Sequence, residues 1–205
     1  FKDTAVALGK FEGIHRGHQL LMDEVKKQEL HGLRSVVFTF DRPTRLTLTG
    51  DTEYKQIYTK KERREILKKR GIDILIEHPF TKEFAALTPD RFIREVLVEK
   101  VGAKVIVVGT DFHFGKNRSG SITDLEKLEE ECGYHLIVVE KLQLNGKDIS
   151  STRIRASLEK GAMEEAKALL GRNYSVSGEI LHGNALGRTI QVPTINQQVP
   201  SFKLL

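Results

Sequence analysis

Two histidines in the stretch "GKFEGIHRGH", residues 9–18, are the first candidates for chemistry. His15 and His18 are three residues apart, so both rings face one pocket if a helix begins here. The stretch follows the apolar run "TAVAL", which predicts a buried strand. Imidazoles at a helix start can donate hydrogen bonds to phosphate oxygens while negative charge builds up during phosphoryl or nucleotidyl transfer. The pattern therefore predicts phosphate chemistry.

Three glycines between the strand and the helix strengthen this interpretation. Gly9, Gly13 and Gly17 would let backbone N–H groups and the positive end of the helix dipole approach a phosphate. The stretch matches neither the P-loop, because no Gly-Lys-Ser/Thr follows, nor the three-glycine dinucleotide pattern. Half of a metal site is a weaker alternative, because no cysteine and no acidic residue at a familiar metal spacing accompanies the histidines. Taken singly, each histidine is more typical of a helix start or a surface.

A second candidate is the stretch "DISSTRIRASL". Ser150, Ser151 and Thr152 precede an apolar-periodic run and are natural N-cap residues, so helix capping explains part of the pattern. Capping does not explain Arg153 and Arg155, because cations in the first turn oppose the helix dipole. The two arginines favour an external anion. A triphosphate held by Ser151, Thr152 and one guanidinium, facing the histidines, fits this pattern.

The third candidate, "VVGTDFHFGKNRSG", follows another predicted strand. Asp111 and His113 alternate with Phe112 and Phe114, which places aromatic faces beside polar groups. Such a surface suits a flat heterocyclic ligand. A core position for either phenylalanine is an equally open alternative.

The elements that must position these residues alternate between short β-branched runs and amphipathic segments, as in parallel βαβ units. Predicted strands span residues 4–9, 35–40, 72–77, 103–109 and 134–140, and predicted helices span 18–30, 59–71, 88–102 and 121–133. This order predicts an α/β fold with a doubly wound parallel sheet, whose ligands bind beyond the carboxyl ends of the strands. Site residues should therefore follow "ALG", "FTF" and "VVG".

The pattern changes near residue 150. Two short helices broken at Gly161 precede a β-rich stretch with turn signals at "HGN" and "LG". We expect a first domain over residues 1–172 and the beginning of a second over 173–205, which is too short for a core of its own. Either the remainder of that domain is absent from this chain, or the segment packs on the first domain.

Composition narrows the class of protein. In 205 residues no apolar run approaches the roughly 18 residues of a membrane span, and the amino-terminal residues do not resemble a secretory signal. Cys132 is the only cysteine, so no internal disulfide can form. We therefore expect a cytoplasmic protein without a membrane partner, either a monomer or a weak homo-oligomer.

The net charge of +5 is compatible with a nucleic acid, an acidic surface or a phosphorylated small molecule. The most basic stretch, "TKKERREILKKRG", also contains Glu62 and Glu65. This mixture is typical of a solvated helix face rather than a nucleic-acid patch. We expect small-molecule partners and no nucleic acid.

With these stretches in view, the chain resembles the bacterial bifunctional riboflavin kinase and FAD synthetase family. The resemblance runs through "GKFEGIHRGH", "FTFDRP", "LTPDRFIREVLVEKVGAKVIVVGTDFHFGKNRSG", "ISSTRIR" and "GRNYSVSGEILHGNALGRTIQVPTIN". It implies an amino-terminal nucleotidyltransferase domain of the His-x-Gly-His type, which uses ATP and Mg²⁺ to convert FMN to FAD. It also implies that residues 173–205 begin a β-barrel riboflavin kinase domain.

The resemblance assigns roles to individual residues. The positions implied to be catalytic are His15, His18, Ser151, Thr152 and Arg155. The other positions expected to contact ATP are Gly9, Lys10, Phe11, Gly17 and Arg153. Pro43, Asp111 and Phe114 match positions that hold the flavin. In the kinase segment, Thr194 and Asn196 match the Pro-Thr-x-Asn motif that engages Mg²⁺ and nucleotide phosphate.

The sequence departs from the family pattern at three places. Lys10 and Glu12 stand where the family usually has asparagine and aspartate, and "DRPTR" replaces a longer proline-histidine-proline loop. Glu12 keeps the charge and Lys10 could add a phosphate contact, so adenylyl transfer should survive while the flavin pocket changes shape. Because the sequence ends at "SFKLL", before most of the barrel, we do not expect this polypeptide to phosphorylate riboflavin.

Two other functions fit parts of the pattern. A nucleotidyltransferase of the same fold with a phosphopantetheine, nicotinamide or glycerol phosphate acceptor would share the histidines but not the "GRTIQVPTIN" tail. A non-enzymatic module that senses flavin or binds nucleic acid would fit the positive charge.

Overall fold

The computed structural model describes residues 1–51, 53–182, 191–192 and 194–205. Its strands are β1 Thr4–Leu8, β2 Arg34–Phe40, β3 Ile74–His78, β4 Ala103–Gly109, β5 His135–Val139, β6 Gln143–Leu144, β7 Lys147–Asp148, β8 Glu179–Leu181 and β9 Asn196–Gln198. Its α-helices are α1 Arg16–Lys27, α2 Thr44–Thr49, α3 Lys60–Lys69, α4 Lys82–Ala85, α5 Pro89–Arg91, α6 Ile122–Cys132, α7 Ser151–Glu159 and α8 Met163–Leu170. No helix in that part of the chain is long and apolar enough to cross a membrane.

Five parallel strands form the main sheet in the order β3-β2-β1-β4-β5. Val6 of β1 lies opposite Val36 of β2 on one side and Ile106 of β4 on the other. The chain therefore winds outward in one direction from β1 and in the other from β4, and the strand order reverses between them. This is the doubly wound topology expected from the sequence, and its switch point lies beyond the carboxyl ends of β1 and β4.

Alternation along the strands divides the core between the two faces of the sheet. Val6 and Leu8 belong to one buried cluster, whereas Ala5 and Ala7 belong to the cluster on the opposite face, beneath α1. Side chains buried on both faces are characteristic of parallel sheets covered by helices. A third cluster joins α7 and α8 to the segment that precedes α3.

The structure confirms the five predicted sheet strands and most of the helices. Thr88 caps α5 with Pro89 in first position, as expected, and the helix continues with π-type hydrogen bonding over Phe92–Lys100. Helix α1 starts at Arg16, two residues earlier than predicted, and a 3₁₀ turn ends it at Gln28–His31. The sequence did not indicate α2, α4 or the β6–β7 ladder, because segments of two to six residues are too short to show a period.

The carboxyl-terminal segment packs on the first domain. The backbone N–H of Gln56 donates to the carbonyl of Phe202 at 2.6 Å, and Leu204 donates to the carbonyl of Gln56 at 2.8 Å. Lys203 and Leu204 are both buried. Residues 202–204 therefore pack on the first domain, while the boundary at residue 172 stays a prediction. The turns expected at "HGN" and "LG" involve residues 183–190, outside the described residues.

Candidate active site

The loop between β1 and α1 is held in a strained conformation. Phe11 and Ile14 are fully buried and adopt φ values of 45° and 42°, which side chains larger than glycine rarely do. The guanidinium of Arg172 donates to the carbonyls of Gly13 at 2.9 Å and Ile14 at 2.8 Å. Strained backbone persists only where surrounding contacts determine it, and the hydrogen bonds from Arg172 are such contacts.

His15 and His18 lie together where this loop enters α1. His15 is the N-cap of α1, and its Nδ1 accepts the backbone N–H of His18 at 3.2 Å. The two rings are stacked, with centroids 3.6 Å apart and an interplanar angle of 14°. Because Nδ1 of His15 accepts a hydrogen bond, the proton of the neutral ring is assigned to Nε2, which becomes a donor for a ligand.

Burial and nearby charge keep both histidines neutral at pH 7. Burial, followed by the charge of Arg172, lowers the pKa of His15 to about 4, although Asp111 opposes the shift. Burial, then His15 and Arg172, lowers the pKa of His18 well below its ordinary value. Nδ1 of His18 is buried and has no hydrogen-bond partner within the described part of the chain. Each neutral ring therefore offers one N–H group to an anion, at the positive end of the α1 dipole.

Two glycines allow neighbouring side chains to approach this loop. A Cβ atom on Gly17 would lie 3.3 Å from Nδ1 of His15, so a larger residue would push against the ring. A Cβ on Gly13 would lie 3.4 Å from Oγ of Ser151, at the start of α7. The loop and the "ISSTRIR" stretch are therefore in contact, as the sequence predicted.

Only one of the three hydroxyl residues at the start of α7 caps the helix. Ser150 is the N-cap, and its Oγ accepts the backbone N–H of Arg153 at 3.2 Å. Ser151 and Thr152 are the first two helical residues rather than caps, and Thr152 is exposed. Their hydroxyl groups are thus not used for capping.

Both arginines of α7 have acidic partners within the protein. Arg153 donates from Nε and Nη2 to Glu165 at 3.0 and 2.8 Å, and from Nη1 to the carbonyls of Leu144 and Lys147. Arg155 pairs with Glu12 at 2.5 Å. The fold supplies carboxylate partners to both cations, so their charge alone does not indicate an external anion, and phosphate binding by either arginine stays a prediction. Only Arg155 is joined to the loop that carries the histidines.

The three candidate flavin positions have different surroundings. Asp111 is exposed after β4, and its carboxylate lies 3.1 Å from Nζ of Lys141. Phe114 is buried in the core against Phe92 and Phe112, with ring centroids 5.4 Å apart in both pairs. For Phe114 the core alternative is therefore the one observed. Pro43 precedes α2 and lines a cavity together with Lys10, Glu12, Phe40, Arg42, Thr44, Arg45, Tyr54, Gln56, Tyr58 and Arg63.

Lys10 and Phe11 take opposite positions in the same loop. Lys10 lines the cavity, and its pKa is lowered by burial and by the charge of Arg118, with Glu12 acting in the opposite direction. The Phe11 ring packs under Gly9 and edge-on to His18, with centroids 5.0 Å apart. Phe11 thus supports the histidine, and Lys10 adds positive charge to the cavity.

Sequence reasoning missed two residues of this site. Arg172 fixes the loop carbonyls and lowers the pKa of both histidines, and Tyr54 joins Glu12 to Arg155. Arg172 lies in the stretch "GRNYSVSGEIL", to which the resemblance assigned no site role, and Tyr54 lies in a polar stretch without a period. Neither position carried a signal that spacing or composition would reveal.

The predicted kinase residues lie elsewhere. Asn196 is exposed in β9 opposite Leu181 of β8, and Thr194 is exposed just before it. Among the residues that the structure describes, no group of three or more His, Cys, Asp or Glu side chains is placed to hold a metal ion. The assignment of Thr194 and Asn196 to Mg²⁺ stays a prediction.

Comparison with known proteins gives two family matches and a consistent set of relatives. Residues 1–153 match the model of the FAD synthetase family, and residues 170–205 match that of riboflavin kinase. Proteins named bifunctional riboflavin kinase/FMN adenylyltransferase are 35% identical in Listeria monocytogenes, 33% in Buchnera aphidicola from Schizaphis graminum and 34% in Escherichia coli K12. The aligned regions cover 96, 95 and 93% of this chain, but only 63, 63 and 61% of those relatives.

A solved structure agrees with the fold. A crystal structure described as a macrolide-efflux protein from Streptococcus pneumoniae superposes with a TM-score of 0.87 at 34% identity, covering 96% of this chain and 64% of that one. The match to the FAD synthetase model spans the main sheet, the histidine loop and the start of α7. The chain belongs to the FAD synthetase family.

Proposed function

We propose that this chain transfers AMP from ATP to the phosphate of FMN, producing FAD and pyrophosphate. The observation that carries the proposal is the stacked, neutral His15–His18 pair at the start of α1, at the switch point of the sheet. Membership of the FAD synthetase family supports FMN as the acceptor. The names of the curated relatives include the same activity.

The reaction is an in-line displacement at the α-phosphorus of ATP. An oxygen of the FMN phosphate forms a new bond to that phosphorus, and the bond to the β-phosphate oxygen breaks, so pyrophosphate leaves. The FMN phosphate is an anion at neutral pH and needs no strong base. Catalysis therefore depends on positioning the two reactants and on stabilising the charge of the transition state.

The histidines would stabilise the transferring group. Nε2–H of His15 and one N–H of His18 are donors at the amino terminus of α1, where the dipole also favours negative charge. The pKa values of both histidines are lowered in the protein without a bound ligand. A bound polyphosphate would raise both values, because a nearby anion favours the charged form of an imidazole.

The remaining phosphates would bind across the loop. The hydroxyl of Ser151 lies beside Gly13, Thr152 is the next residue of α7, and Arg155 pairs with Glu12 of the same loop. The cavity lined by Lys10, Glu12, Pro43 and Tyr54 adjoins the Glu12–Arg155 pair, and its residues would contact the flavin. Asp111, exposed after β4, would be a further flavin contact. Phe114 would act indirectly, by packing against Phe112.

Residues 173–205 would belong to a riboflavin kinase module, which we propose on the match to that family over residues 170–205. The side chains of Thr194 and Asn196 carry oxygen donors, the ligand type that Mg²⁺ prefers. They would hold Mg²⁺ together with nucleotide phosphates, and the ion would neutralise phosphate charge. Riboflavin would be the substrate of this second activity.

An acceptor panel tests the proposed adenylyl transfer. The chain is incubated with ATP, Mg²⁺ and either FMN, phosphopantetheine, nicotinamide mononucleotide or glycerol 3-phosphate, and products are separated by chromatography. We expect FAD and pyrophosphate in equal amounts with FMN, and no adenylylated product with the other acceptors. A product from another acceptor, or salt-dependent RNA binding without any turnover, would contradict the proposal.

A further inference from the structure

Arg155 is held by groups from two other segments of the chain. Its Nη2 donates to Oε1 of Glu12 and to the hydroxyl of Tyr54, both at 2.5 Å, and its Nε donates to the carbonyl of Lys55 at 3.4 Å. The side chains of Arg155 and Glu12 are only 18 and 16% exposed. The guanidinium is therefore fixed before any ligand arrives.

Tyr54 also connects to Glu12. Its hydroxyl donates to Oε2 of Glu12 at 2.7 Å, while the guanidinium carbon of Arg155 lies 4.6 Å from the centroid of the Tyr54 ring. Each of the three side chains thus contacts the other two. Tyr54 is hydrogen-bonded to the carboxylate of Glu12, and it contacts the guanidinium of Arg155 through both its hydroxyl and the face of its ring.

The bonding pattern leaves one edge of the guanidinium for a ligand. Nε and Nη2 are engaged, whereas nothing within the described residues accepts a hydrogen bond from Nη1 of Arg155. Arg–carboxylate pairs are frequently bidentate, with two parallel hydrogen bonds that use two guanidinium nitrogens. Glu12 binds Nη2 alone and shares its other oxygen with Tyr54. This arrangement orients the guanidinium without using all its donors.

The segment that carries Tyr54 is held by hydrogen bonds to residues near the carboxyl terminus. Nζ of Lys55 donates to the carbonyl of Ser201 at 2.8 Å, and Gln56 pairs with Phe202 and Leu204 through its backbone. The phenol therefore projects from a fixed segment, and fixed groups lose less entropy when they hold a neighbour in place.

We propose that Glu12 and Tyr54 are positioning residues, which orient Arg155 so that Nη1 binds a phosphate of ATP. This inference rests on the proposed function, because it takes Arg155 as a ligand of the triphosphate. It assigns a task to Glu12, a loop residue for which the resemblance leads us to expect aspartate, and to Tyr54, to which no motif pointed.

Tyr54→Phe is the sharpest variant, because it removes the hydroxyl and keeps both the ring and the charge balance. We expect the KM for ATP to rise about tenfold, the size of losing one hydrogen bond to a charged group, with kcat within about twofold of wild type. In an Arg155→Ala background the same change should have no further effect, because the group that Tyr54 positions is absent. Additive effects of the two changes would overturn the proposal.

Glu12→Gln distinguishes two roles for Glu12: orienting the guanidinium of Arg155 toward ATP, or occupying that guanidinium so that ATP cannot bind to it. If Glu12 positions Arg155, the KM for ATP rises, and Glu12→Asp recovers part of the loss because the charge is restored. If Glu12 masks the cation, Glu12→Gln lowers the KM instead, and the proposal is overturned.

Tyr174→Phe is the matched control. Its hydroxyl lies 3.0 Å from the carbonyl oxygen of Ile57 and 2.5 Å from that of Leu204, and it makes no hydrogen bond to Arg155. We expect it to lower the melting temperature and leave the KM for ATP unchanged.

ATP binding measured by calorimetry without an acceptor separates this proposal from the proposed function. Weaker ATP binding by Tyr54→Phe supports the positioning role even if FMN is not the acceptor, and equal binding by wild type and Tyr54→Phe overturns it.

Discussion

The protonation state of His15 and His18 depends on burial and on a cation from a distant part of the chain. Arg172 lies beyond α8, yet its guanidinium holds the carbonyls of Gly13 and Ile14 and disfavours a positive charge on either imidazole. The site therefore presents neutral donors in the absence of ligand. Charged histidines would attract phosphate more strongly, but stacked rings 3.6 Å apart would then repel each other.

The depressed pKa of His15 predicts a dependence of stability on pH. Because the folded-state value is about 4 and the unfolded value about 6.5, the unfolded chain binds the proton first as pH falls. This contribution to stability is fully present above pH 6.5 and is lost as the pH falls from 6.5 to 4, with a total of about 3 kcal/mol.

His15→Asn tests this dependence, because asparagine keeps an N-cap acceptor and does not titrate. We expect the free energy of unfolding, measured in urea at pH 7 and pH 4.5, to fall less for the variant than for wild type. His31→Asn, at an exposed position, should follow wild type. An equal fall in wild type and His15→Asn would show that His15 titrates normally.

The helices and strands were largely predictable from sequence. Runs such as "VVFTF" and "VIVVG" have the continuous apolar character of strands buried on both faces, and the helices have a 3.6-residue period. The topology then followed, because alternating strands and helices favour a parallel sheet with site loops at its carboxyl edge. Short elements such as α2 and α4 could not be predicted, because their stability depends on contacts with the rest of the fold.

Side-chain partners were less predictable than elements. The sequence placed the histidine loop beside α7 correctly, but it gave no indication that Glu165 would pair with Arg153. Local charge arguments consider only one helix, whereas Glu165 reaches Arg153 from α8. Phe114 likewise joined the core, because Phe92 and Phe112 lie beside it only in the folded chain.

On the scale of the whole molecule, the carboxyl-terminal segment stabilises the site through its contacts with residues 56 and 57. The ammonium group of Lys203 is fully buried, 3.0 Å from Oε2 of Glu62, and it lies over the rings of Tyr58 and Tyr174. It also donates to the carbonyl of Ile57 at 2.5 Å. Residues 202–204 therefore hold the segment that contains Tyr54 in place. Tyr54 in turn bonds to Glu12 in the histidine loop, so the carboxyl-terminal segment is connected to that loop.

Lys203→Met should destabilise the whole chain. The change leaves the carboxylate of Glu62 buried without its cation, which typically costs about 3–5 kcal/mol. We expect urea unfolding to show a loss in this range, and the double variant Lys203→Met, Glu62→Gln to recover part of it, because the remaining pair is neutral. A loss below ~1 kcal/mol would mean that the segment does not contribute to the fold in this way.

The most direct test of the central claim is FAD formation by His18→Ala. The variant is compared with wild type and with His31→Ala, using saturating ATP and FMN with Mg²⁺ and chromatographic detection. If the paired histidines stabilise the transferring adenylyl group, turnover falls roughly ten- to a thousandfold in His18→Ala, while His31→Ala keeps the wild-type rate. Undiminished FAD formation by His18→Ala would contradict the account.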